Sequence, residues 1–573
     1  MGFTSPTEPE FEIEDWAGRP YPERVRMMCD AWAMQGFGAP GVAYLFYILK
    51  IGLYIGGFLA FAVTTEGGGS LSDIGDWWAN PVIYGKAVLW TLMYEALGLG
   101  CGSGPLTGRY TPPVTAVIAF TRIGSTRLRP FTWVPFTAGH KRTILDVGLY
   151  VAFLAFTVRA LLSDDLLTDP WLIIPILASL GLAGLRDKAV FLAGRSEHFL
   201  LAAFVLLFAG DVIAGEKAVQ AALWFWAATS KLNLHFPNVI AVMMSNNPLL
   251  RSKFIRRKLY RNYPEDMRGS RLAERIAHGA TAIEYFFPFL LVFGPEGRPQ
   301  TIAIVAMVAF HTIILTSFPL GVPLEWNVFF IYSTLALFGV HADVRFWHVD
   351  SPLLAIVLLV CLVAIPIFGN LRPDKISFLP SMRYYAGNWA ISSWLFRPGR
   401  FEEIEDTMGT VASTPRRQVE KLYGEDGDIR PIVGRAQAFR AMHLHGRAMC
   451  ALIPEAVEGL EDDDVRDRGC DAFEALEGEF VAGLTLGWNF GDGHLHNEQL
   501  MEVIQAECNF GPGEVRAVMI ESQPFFEKTM HWRIVDAHDG LIAEGHVVVA
   551  DLLDVQPWAS GGLDLGRVAP SRT

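Results

Sequence analysis

Three ionisable residues stand in strongly apolar surroundings and could carry acid/base chemistry. Lys231 lies in LWFWAATSKLNLHFPNV, Glu284 in HGATAIEYFFPFLLVFG and His311 in VAMVAFHTIILTSFPL. Ionisable groups inside hydrocarbon are expensive and are functional candidates by default. Burial favours the neutral amine of a lysine, which can act as a general base. If the three residues cluster, they predict an acid/base site for a hydrophobic substrate that arrives from the bilayer.

Two of these residues also have a simpler interpretation. Lys231 could snorkel toward the membrane surface from the end of its helix. His311 could be a neutral imidazole that bonds two helices together, since buried histidines are often simply satisfied. We predict Lys231, Glu284 and His311 as catalytic residues, and Trp224, Trp226 and His235 as substrate-binding residues.

Long apolar helices are needed to hold these residues. A membrane span takes about 20 mostly apolar residues, and ten segments qualify, at about 41–63, 81–100, 143–162, 170–187, 197–214, 217–234, 277–294, 300–320, 324–341 and 352–370. The composition agrees, because a chain with 51% hydrophobic and 19% charged residues is too apolar for an ordinary soluble protein. We predict a mainly α fold, a polytopic transmembrane helical bundle of about ten spans.

Charge predicts the orientation of this bundle. Lysine and arginine collect in cytoplasmic loops, and basic loops occur at 121–142, 186–195, 251–275 and 371–400. An even number of predicted spans separates each successive pair, whereas the loops between them are short and mostly acidic. No basic region followed by an apolar run marks a cleaved signal peptide. We expect a plasma-membrane protein with both termini in the cytoplasm.

The last third of the chain has a different composition and periodicity. Residues 401–573 hold 14 Lys/Arg against 32 Asp/Glu, which argues against nucleic acid and against anionic lipid surfaces as partners. Apolar residues recur at helical spacing over 430–480. VRAVMIESQPF, TMHWRIVD and LIAEGHVVVADLL then alternate like strands, and AHDG between the last two is a hairpin signal. We predict a cytoplasmic segment over 1–40, the bundle over 41–400 and a small acidic α+β domain over 401–573.

Histidine pairs in this tail offer a second kind of chemistry. His443 and His445 lie in the helical stretch, where residues two apart do not share a face. His494 and His496 in GDGHLHN would share a face on a strand and could hold one metal ion together with Asp492. The simpler interpretation is a glycine-rich turn with surface histidines, and we assign no metal site.

Short motifs around the three ionisable residues resemble a known enzyme superfamily. An aromatic-x-A-x-x-KLN helix end, then E-x-x-x-P-F-L-L, then F-H followed by S-F-P-L-G are similar to the transmembrane bundle of the vitamin K-dependent gamma-carboxylases and their bacterial horizontally transferred transmembrane-domain relatives. The resemblance covers about residues 200–345. It implies that Lys231 acts as a base toward a reduced quinone and that Glu284 and His311 line the pocket.

The rest of the chain departs from that superfamily. The peptide-recognition region of the carboxylase has no match, and the acidic tail does not look like its lumenal part. The overall pattern also resembles an uncharacterised membrane-protein family of actinobacteria, which implies no activity.

Two functions of different classes remain open from the sequence. The first is a membrane-embedded acid/base enzyme acting on a lipid or quinol, with a quinone as the cofactor that the resemblance suggests. The second is a transporter or an accessory subunit of a cell-envelope lipid export assembly, because intramembrane Lys, Glu and His also form proton relays and the acidic tail could dock a basic partner. Membrane lipids are expected partners in both cases, and other membrane proteins in the second. An enzyme needs the three ionisable residues around one closed pocket, whereas a carrier needs polar groups strung across the membrane.

Overall fold

A computed structural model describes residues 2–100, 115–317, 324–384, 386–424 and 427–568 as a mainly helical protein. Five helices in these ranges are long and apolar enough to cross a membrane on their own, namely Gly41–Val63, Ile144–Leu162, Arg271–Phe293, Arg298–Ser317 and Pro352–Leu371. A sixth candidate is the pair Ser196–Val205 and Ala209–Ser230, which is bent by 116°. The predicted helical membrane bundle is confirmed in this coarser form, but the count of about ten spans is not.

The three remaining predicted spans are shorter helices. Pro81–Ala96 has 16 residues, and every residue from Ile83 to Ala96 is buried. Pro170–Arg186 and Leu324–Val340 are apolar helices of at most 17 residues. All three are apolar enough for hydropathy to detect them, although each is shorter than the 20 residues of a full span.

Shorter helices precede, connect and follow these segments within the first 270 residues. They are Ile13–Ala17, Tyr21–Gln35, Ile74–Trp77, Thr115–Thr121, Lys188–Ala193, Phe236–Asn246 and Lys253–Lys258. Strands β1 (Tyr260–Asn262) and β2 (Asp266–Gly269) form a small antiparallel hairpin after the last of them.

A six-stranded antiparallel sheet forms the core of the C-terminal region. Its order is β4-β3-β5-β6-β7-β8, with β3 at Ile391–Phe396, β4 at Glu474–Glu477, β5 at Val515–Ile520, β6 at Thr529–Asp536, β7 at Gly540–Val548 and β8 at Arg567–Val568. The helices of this region are Arg400–Met408, Pro415–Tyr423, Arg430–Ala441, Leu444–Glu455, Asp463–Arg468, Gly478–Leu486 and Glu498–Cys508.

The sheet confirms the predicted hairpin and adds three strands, β3, β4 and β8, that the sequence did not predict. Asp536 pairs with Gly540 across the turn, where Gly540 has a φ of 78°, a left-handed conformation that glycine adopts without strain. β4 lies within a stretch predicted as helical, and β3 lies within the range assigned to the bundle. β3 pairs with β5 and β4 pairs with β3, and local periodicity does not encode such tertiary pairing.

The N-terminal segment packs on the C-terminal region. Arg435, on the Arg430–Ala441 helix, donates from Nη1 to the carbonyl of Gly36 (2.8 Å) and from Nη2 to Gln35 Oε1 (2.7 Å). The rings of Trp32 and Phe439 pack at a tilt of 46°, with centroids 5.4 Å apart. The two ends of the chain therefore meet on one side of the bundle.

Loops on that same side contact the C-terminal region or the N-terminal segment. Four contacts define this end, which we call the domain end: Lys141 Nζ to Glu507 (2.8 Å), Lys188 Nζ to the carbonyl of His494 (2.9 Å), Lys253 Nζ to Glu10 (3.1 Å) and Arg268 Nη1 to the carbonyl of Asp554 (3.0 Å).

Loops at the opposite end contact one another instead. Four contacts define this far end: the amide of Glu66 to Asp164 (2.7 Å), His341 Nε2 to the carbonyl of Ala79 (2.8 Å), the amide of Asp350 to Asp211 (2.9 Å) and Arg345 to Glu296 (3.8 Å).

Candidate functional site

A cavity of about 580 Å³ lies between five helices of the bundle and the C-terminal region. We call it the central cavity. The helices that line it are Val212–Ser230, Phe236–Asn246, Arg271–Phe293, Arg298–Ser317 and Leu324–Ser333. Its volume falls in the range of small-molecule sites, about 300–1,000 Å³. Most of its lining is apolar, so the few polar groups on its wall determine what it can bind.

Lys231 and Glu284 form an ion pair on this wall. Lys231 follows the last residue of the Val212–Ser230 helix, where the helix dipole favours a cation. Its Nζ donates to Oε2 of Glu284, which lies on the Arg271–Phe293 helix and is 4% exposed. The rings of Phe236 and Phe310 lie 5.5 and 5.7 Å from Nζ. The predicted cation is therefore paired and mostly enclosed, with 11% of its side chain exposed.

His311 lines the same cavity, but the protein satisfies both nitrogens of its ring. Trp224 Nε1 donates to His311 Nε2 (3.1 Å), and His311 Nδ1 lies 3.0 Å from Asn327 Oδ1. Because the indole N–H only donates, Nε2 must accept, so Nδ1 carries the proton and donates to the amide oxygen. This geometry makes His311 a neutral link between three helices that fixes the Trp224 ring in the cavity wall. The sequence predicted a catalytic role for it, and the simpler interpretation fits these bonds.

The other predicted substrate-binding residues are divided by the fold. Trp224 lines the central cavity beside Lys231 and His311. Trp226 lies outside its lining and donates from Nε1 to the carbonyl of Leu362 (2.7 Å). His235 also lies outside it, with Nε2 3.0 Å from Gln523 Oε1 of the C-terminal region. The structure thus brings together Lys231, Glu284, His311 and Trp224, and separates Trp226 and His235 from them.

The end of the cavity next to the C-terminal region is polar, and the sequence reasoning missed it. Arg383, Tyr384, Trp389, Arg440 and Glu479 line this end. Arg440 Nε donates to Glu477 (2.9 Å), and Arg440 also pairs with Glu479. Nothing near Arg383 in the sequence distinguishes it from the basic residues that follow the last span, because its burial depends on a domain packed far away in sequence.

Exposed apolar residues mark the mouth of the cavity. Gly279 and Ile283 on one long helix and Ile313 on the next line the cavity, and Ile313 is 61% exposed. Both helices, Arg271–Phe293 and Arg298–Ser317, are long and apolar enough to span a membrane. The mouth therefore faces the surface that lipid covers in such a protein.

Other charged residues inside predicted spans have structural partners. Lys86 Nζ donates to Thr65 Oγ1 (2.7 Å), and Asp146 accepts from Arg186 Nε (2.6 Å). Asp211 accepts from the amides of Asp350 and Ser351. These contacts fix loops and helix ends.

Of the predicted surface histidines of the tail, His496 is buried and His494 has only 14% of its side chain exposed. His494 Nε2 contacts Glu521 Oε2 at 3.0 Å, and His496 Nδ1 contacts Ser392 Oγ at 2.6 Å. The prediction of a surface turn is wrong here because the bundle packs against the turn, with Lys188 bonded to its backbone. Among the described residues no group of three or more His, Cys, Asp or Glu is arranged to hold a metal ion.

These features define a class, a helical membrane protein with a large cavity between its bundle and a sheet-containing C-terminal region. The chain belongs to a family described as transmembrane protein of unknown function (DUF3556), whose model matches residues 1–565. No curated protein and no solved structure matches it. The family match covers nearly the whole chain, and it brings no link to the gamma-carboxylases, to quinones or to actinobacteria.

Proposed function

We propose that this protein is a membrane-embedded acid/base enzyme whose substrate is an amphipathic lipid or a quinol bound in the central cavity. The observation that carries the proposal is a buried lysine–carboxylate pair, Lys231 and Glu284, on the wall of a largely apolar cavity. Charged groups in such surroundings are costly to keep and are functional candidates by default. Apolar residues at the mouth, including Ile283 and Ile313, would admit a substrate directly from the bilayer.

The pair can move one proton without leaving a net charge behind. Transfer of the shared proton from Lys231 Nζ to Glu284 Oε2 gives a neutral amine and a neutral carboxylic acid, so the pair carries no net charge before or after the transfer. The amine then takes a proton from a substrate hydroxyl. The ammonium that results balances the negative charge on the substrate oxygen. His311 does not move a proton in this scheme and positions Trp224 against the substrate.

The grouping of polar residues supports an enzyme over a carrier. Lys231, Glu284 and His311 line one cavity, whereas a carrier needs polar groups along a path across the membrane. The transporter or accessory-subunit alternative predicts that the bound molecule leaves the protein chemically unchanged.

A comparison of the small molecules that copurify with wild type and variants tests the proposed enzymatic function directly. The double variant Lys231→Met/Glu284→Gln removes the pair without leaving an unpaired charge, and Lys253→Met changes an exposed lysine as the control. Small molecules that copurify with each protein in mild detergent are weighed by mass spectrometry. An enzyme should hold product-like molecules in the wild type and control, and a chemically different substrate, distinguished by mass or by chromatographic retention, in the double variant. Identical molecules in all three proteins would contradict catalysis and favour a carrier.

We also propose that all ten predicted segments cross the membrane, with both termini in the cytoplasm. Contacts at the domain end and the far end support this. Eight of the ten segments, all except 300–320 and 324–341, connect a loop grouped at one end with a loop grouped at the other. The segments 81–100 and 324–341 would cross within the protein, shielded from lipid by longer helices, whereas 170–187 would cross with one apolar face exposed, including Leu182 and Leu185. The basic loops 121–142, 186–195 and 251–275 all lie at the domain end, the side that the distribution of Lys and Arg assigns to the cytoplasm.

A further inference from the structure

Arg383 is a buried cation at the domain end of the central cavity. It lines the cavity and is 4% exposed, and no described residue forms a hydrogen bond with its Nε or Nη1. Buried charges are ordinarily paired or hydrogen-bonded, because an unpaired one is costly. An unsatisfied guanidinium on a cavity wall therefore points to an anionic partner from outside the chain.

The two acids whose charges act on Arg383 are hydrogen-bonded to other groups. Asp492 accepts from Ser377 Oγ and from the amide of His494 (3.0 Å). Glu521 contacts His494 Nε2 (3.0 Å) and accepts from the amide of Ser522 (2.7 Å). Burial lowers the pKa of Arg383 to about 10, against the opposing charges of these two acids. Arg383 is therefore still a cation at neutral pH.

Arg440 gives an internal comparison at the same end of the cavity. It is also buried, but it pairs with both Glu477 and Glu479. The protein thus supplies two carboxylates to one arginine and no hydrogen-bonded carboxylate to the other among the described residues. Arg383 is the guanidinium left for a ligand.

The cavity has two chemically different ends. Its membrane end is lined by apolar side chains such as Leu223, Ile314 and Phe330, and its domain end presents Arg383. We infer that Arg383 binds the anionic group, a phosphate or a carboxylate, of an amphiphile whose apolar part fills the membrane end. A planar guanidinium matches either anion with two parallel hydrogen bonds. This inference rests on the proposed function, because it names the class of the substrate.

Binding measurements with matched probes test the inference. The full-length protein in lipid nanodiscs is titrated with dodecyl phosphate, dodecanoate, dodecanol and inorganic phosphate, and Kd values are compared among wild type, Arg383→Gln and Arg383→Lys. Arg372→Gln serves as control, since Arg372 is exposed and paired with Asp374. Wild type and control should bind an anionic amphiphile at least about tenfold more tightly than dodecanol, the gain expected from one charged hydrogen bond. Arg383→Gln should lose this preference, and Arg383→Lys should keep part of it.

Three other outcomes would each overturn a defined part of the account. Equal affinity for dodecanol and the anionic amphiphiles, or a preference that survives in Arg383→Gln, would overturn the role of Arg383 while leaving the cavity as a lipid site. Binding of inorganic phosphate as tightly as dodecyl phosphate would overturn the assignment to an amphiphile. Failure of all three amphiphiles to bind the wild type would instead count against the proposed function. Arg383→Lys keeps the test decisive if Arg383→Gln does not fold.

Discussion

Lys231 and Glu284 form an ion pair on the wall of the central cavity, and their charges cancel. Lys231→Met would leave the carboxylate buried without its cation. Breaking a buried pair in this way is expected to lower the free energy of unfolding by about 3–5 kcal/mol. We predict that the double variant Lys231→Met/Glu284→Met recovers most of this loss, because no buried charge remains.

Thermal unfolding of the wild type, Lys231→Met, Glu284→Met and the double variant in one detergent measures this double-mutant cycle. The double variant should unfold at a higher temperature than either single variant and should still lack turnover. A double variant whose loss equals the sum of the two single losses would show that the pair is not energetically coupled.

The contact between His494 and Glu521 should make the stability of the folded protein depend on pH. Burial alone would lower the pKa of His494, but the charge and hydrogen bond of Glu521 outweigh it and raise the pKa above its usual value near 6.5. The folded state therefore binds this proton more tightly than the unfolded chain does. The stabilisation is fully present below about pH 6.5 and is lost as pH rises through the higher folded pKa.

The matching measurement is the unfolding temperature of the wild type and of His494→Gln from pH 5.5 to 9. The wild type should lose stability over the upper part of this range, and the variant should show a smaller fall. Parallel curves for the two proteins would mean that His494 does not titrate as described.

Single residues were predictable where the sequence isolates them in apolar surroundings. Lys231, Glu284 and His311 are conspicuous for this reason, and the structure places all three on one cavity. The ion pair between two of them and the bonds that satisfy the third depend on helix packing, which residue spacing does not encode. Arg383 could not be predicted, because only the C-terminal region buries it.

Gly279, on the Arg271–Phe293 helix, lies at the mouth of the central cavity, where a larger side chain can narrow the opening. A Cβ added at Gly279 meets open space, as does one at Gly52 on the Gly41–Val63 helix. Both residues are exposed, so both accept a larger side chain. We predict that Gly279→Leu narrows the mouth and hinders lipid access, whereas Gly52→Leu does not.

Photocrosslinking in nanodiscs that contain a fatty acid with a photoreactive tail measures this access. Peptides that include Phe310 and His311, which line the cavity wall, should be labelled in wild type and in Gly52→Leu, and several-fold less in Gly279→Leu. Equal labelling in all three proteins would mean that substrates do not pass between these two helices.

Helices and strands could be predicted where the local sequence alone specifies them. The five long apolar helices and the β6–β7 hairpin follow from hydropathy and turn residues. Hydropathy detected the helix Pro81–Ala96, but its 16 residues are fewer than a full membrane span needs. Other parts of the protein enclose this helix. Strand β3 was missed because ISSWLF gives no clear alternation and owes its place to pairing with β4 and β5.

Ten crossings predict a definite arrangement of the whole molecule. A cysteine introduced at position 345 or 296 would lie at the far end, and one at position 253 would lie at the domain end. We predict that an impermeant thiol reagent added outside intact cells labels positions 296 and 345 but not position 253. Position 253 should be labelled only after lysis. A cysteine introduced at the N-terminus should also be labelled only after lysis. Labelling of positions 253 and 345 from the same side would contradict the ten-crossing topology.

At this scale the sequence predicted the membrane bundle and a tail with strands, because composition and charge change along the chain. It could not predict that the tail closes one end of the central cavity. That contact joins residues near 230 to residues beyond 380, and only the folded arrangement brings them together.

The central claim is that the cavity holds a specific amphiphile. The most direct test is mass spectrometry of the lipids and small molecules that copurify with the wild type and with His311→Ala in mild detergent. We predict one enriched lipid or quinone in the wild type, and its loss from His311→Ala, because the variant frees Trp224 from its place in the wall. Absence of any enriched molecule from both proteins, with partner proteins copurifying instead, would contradict the account and favour an accessory subunit.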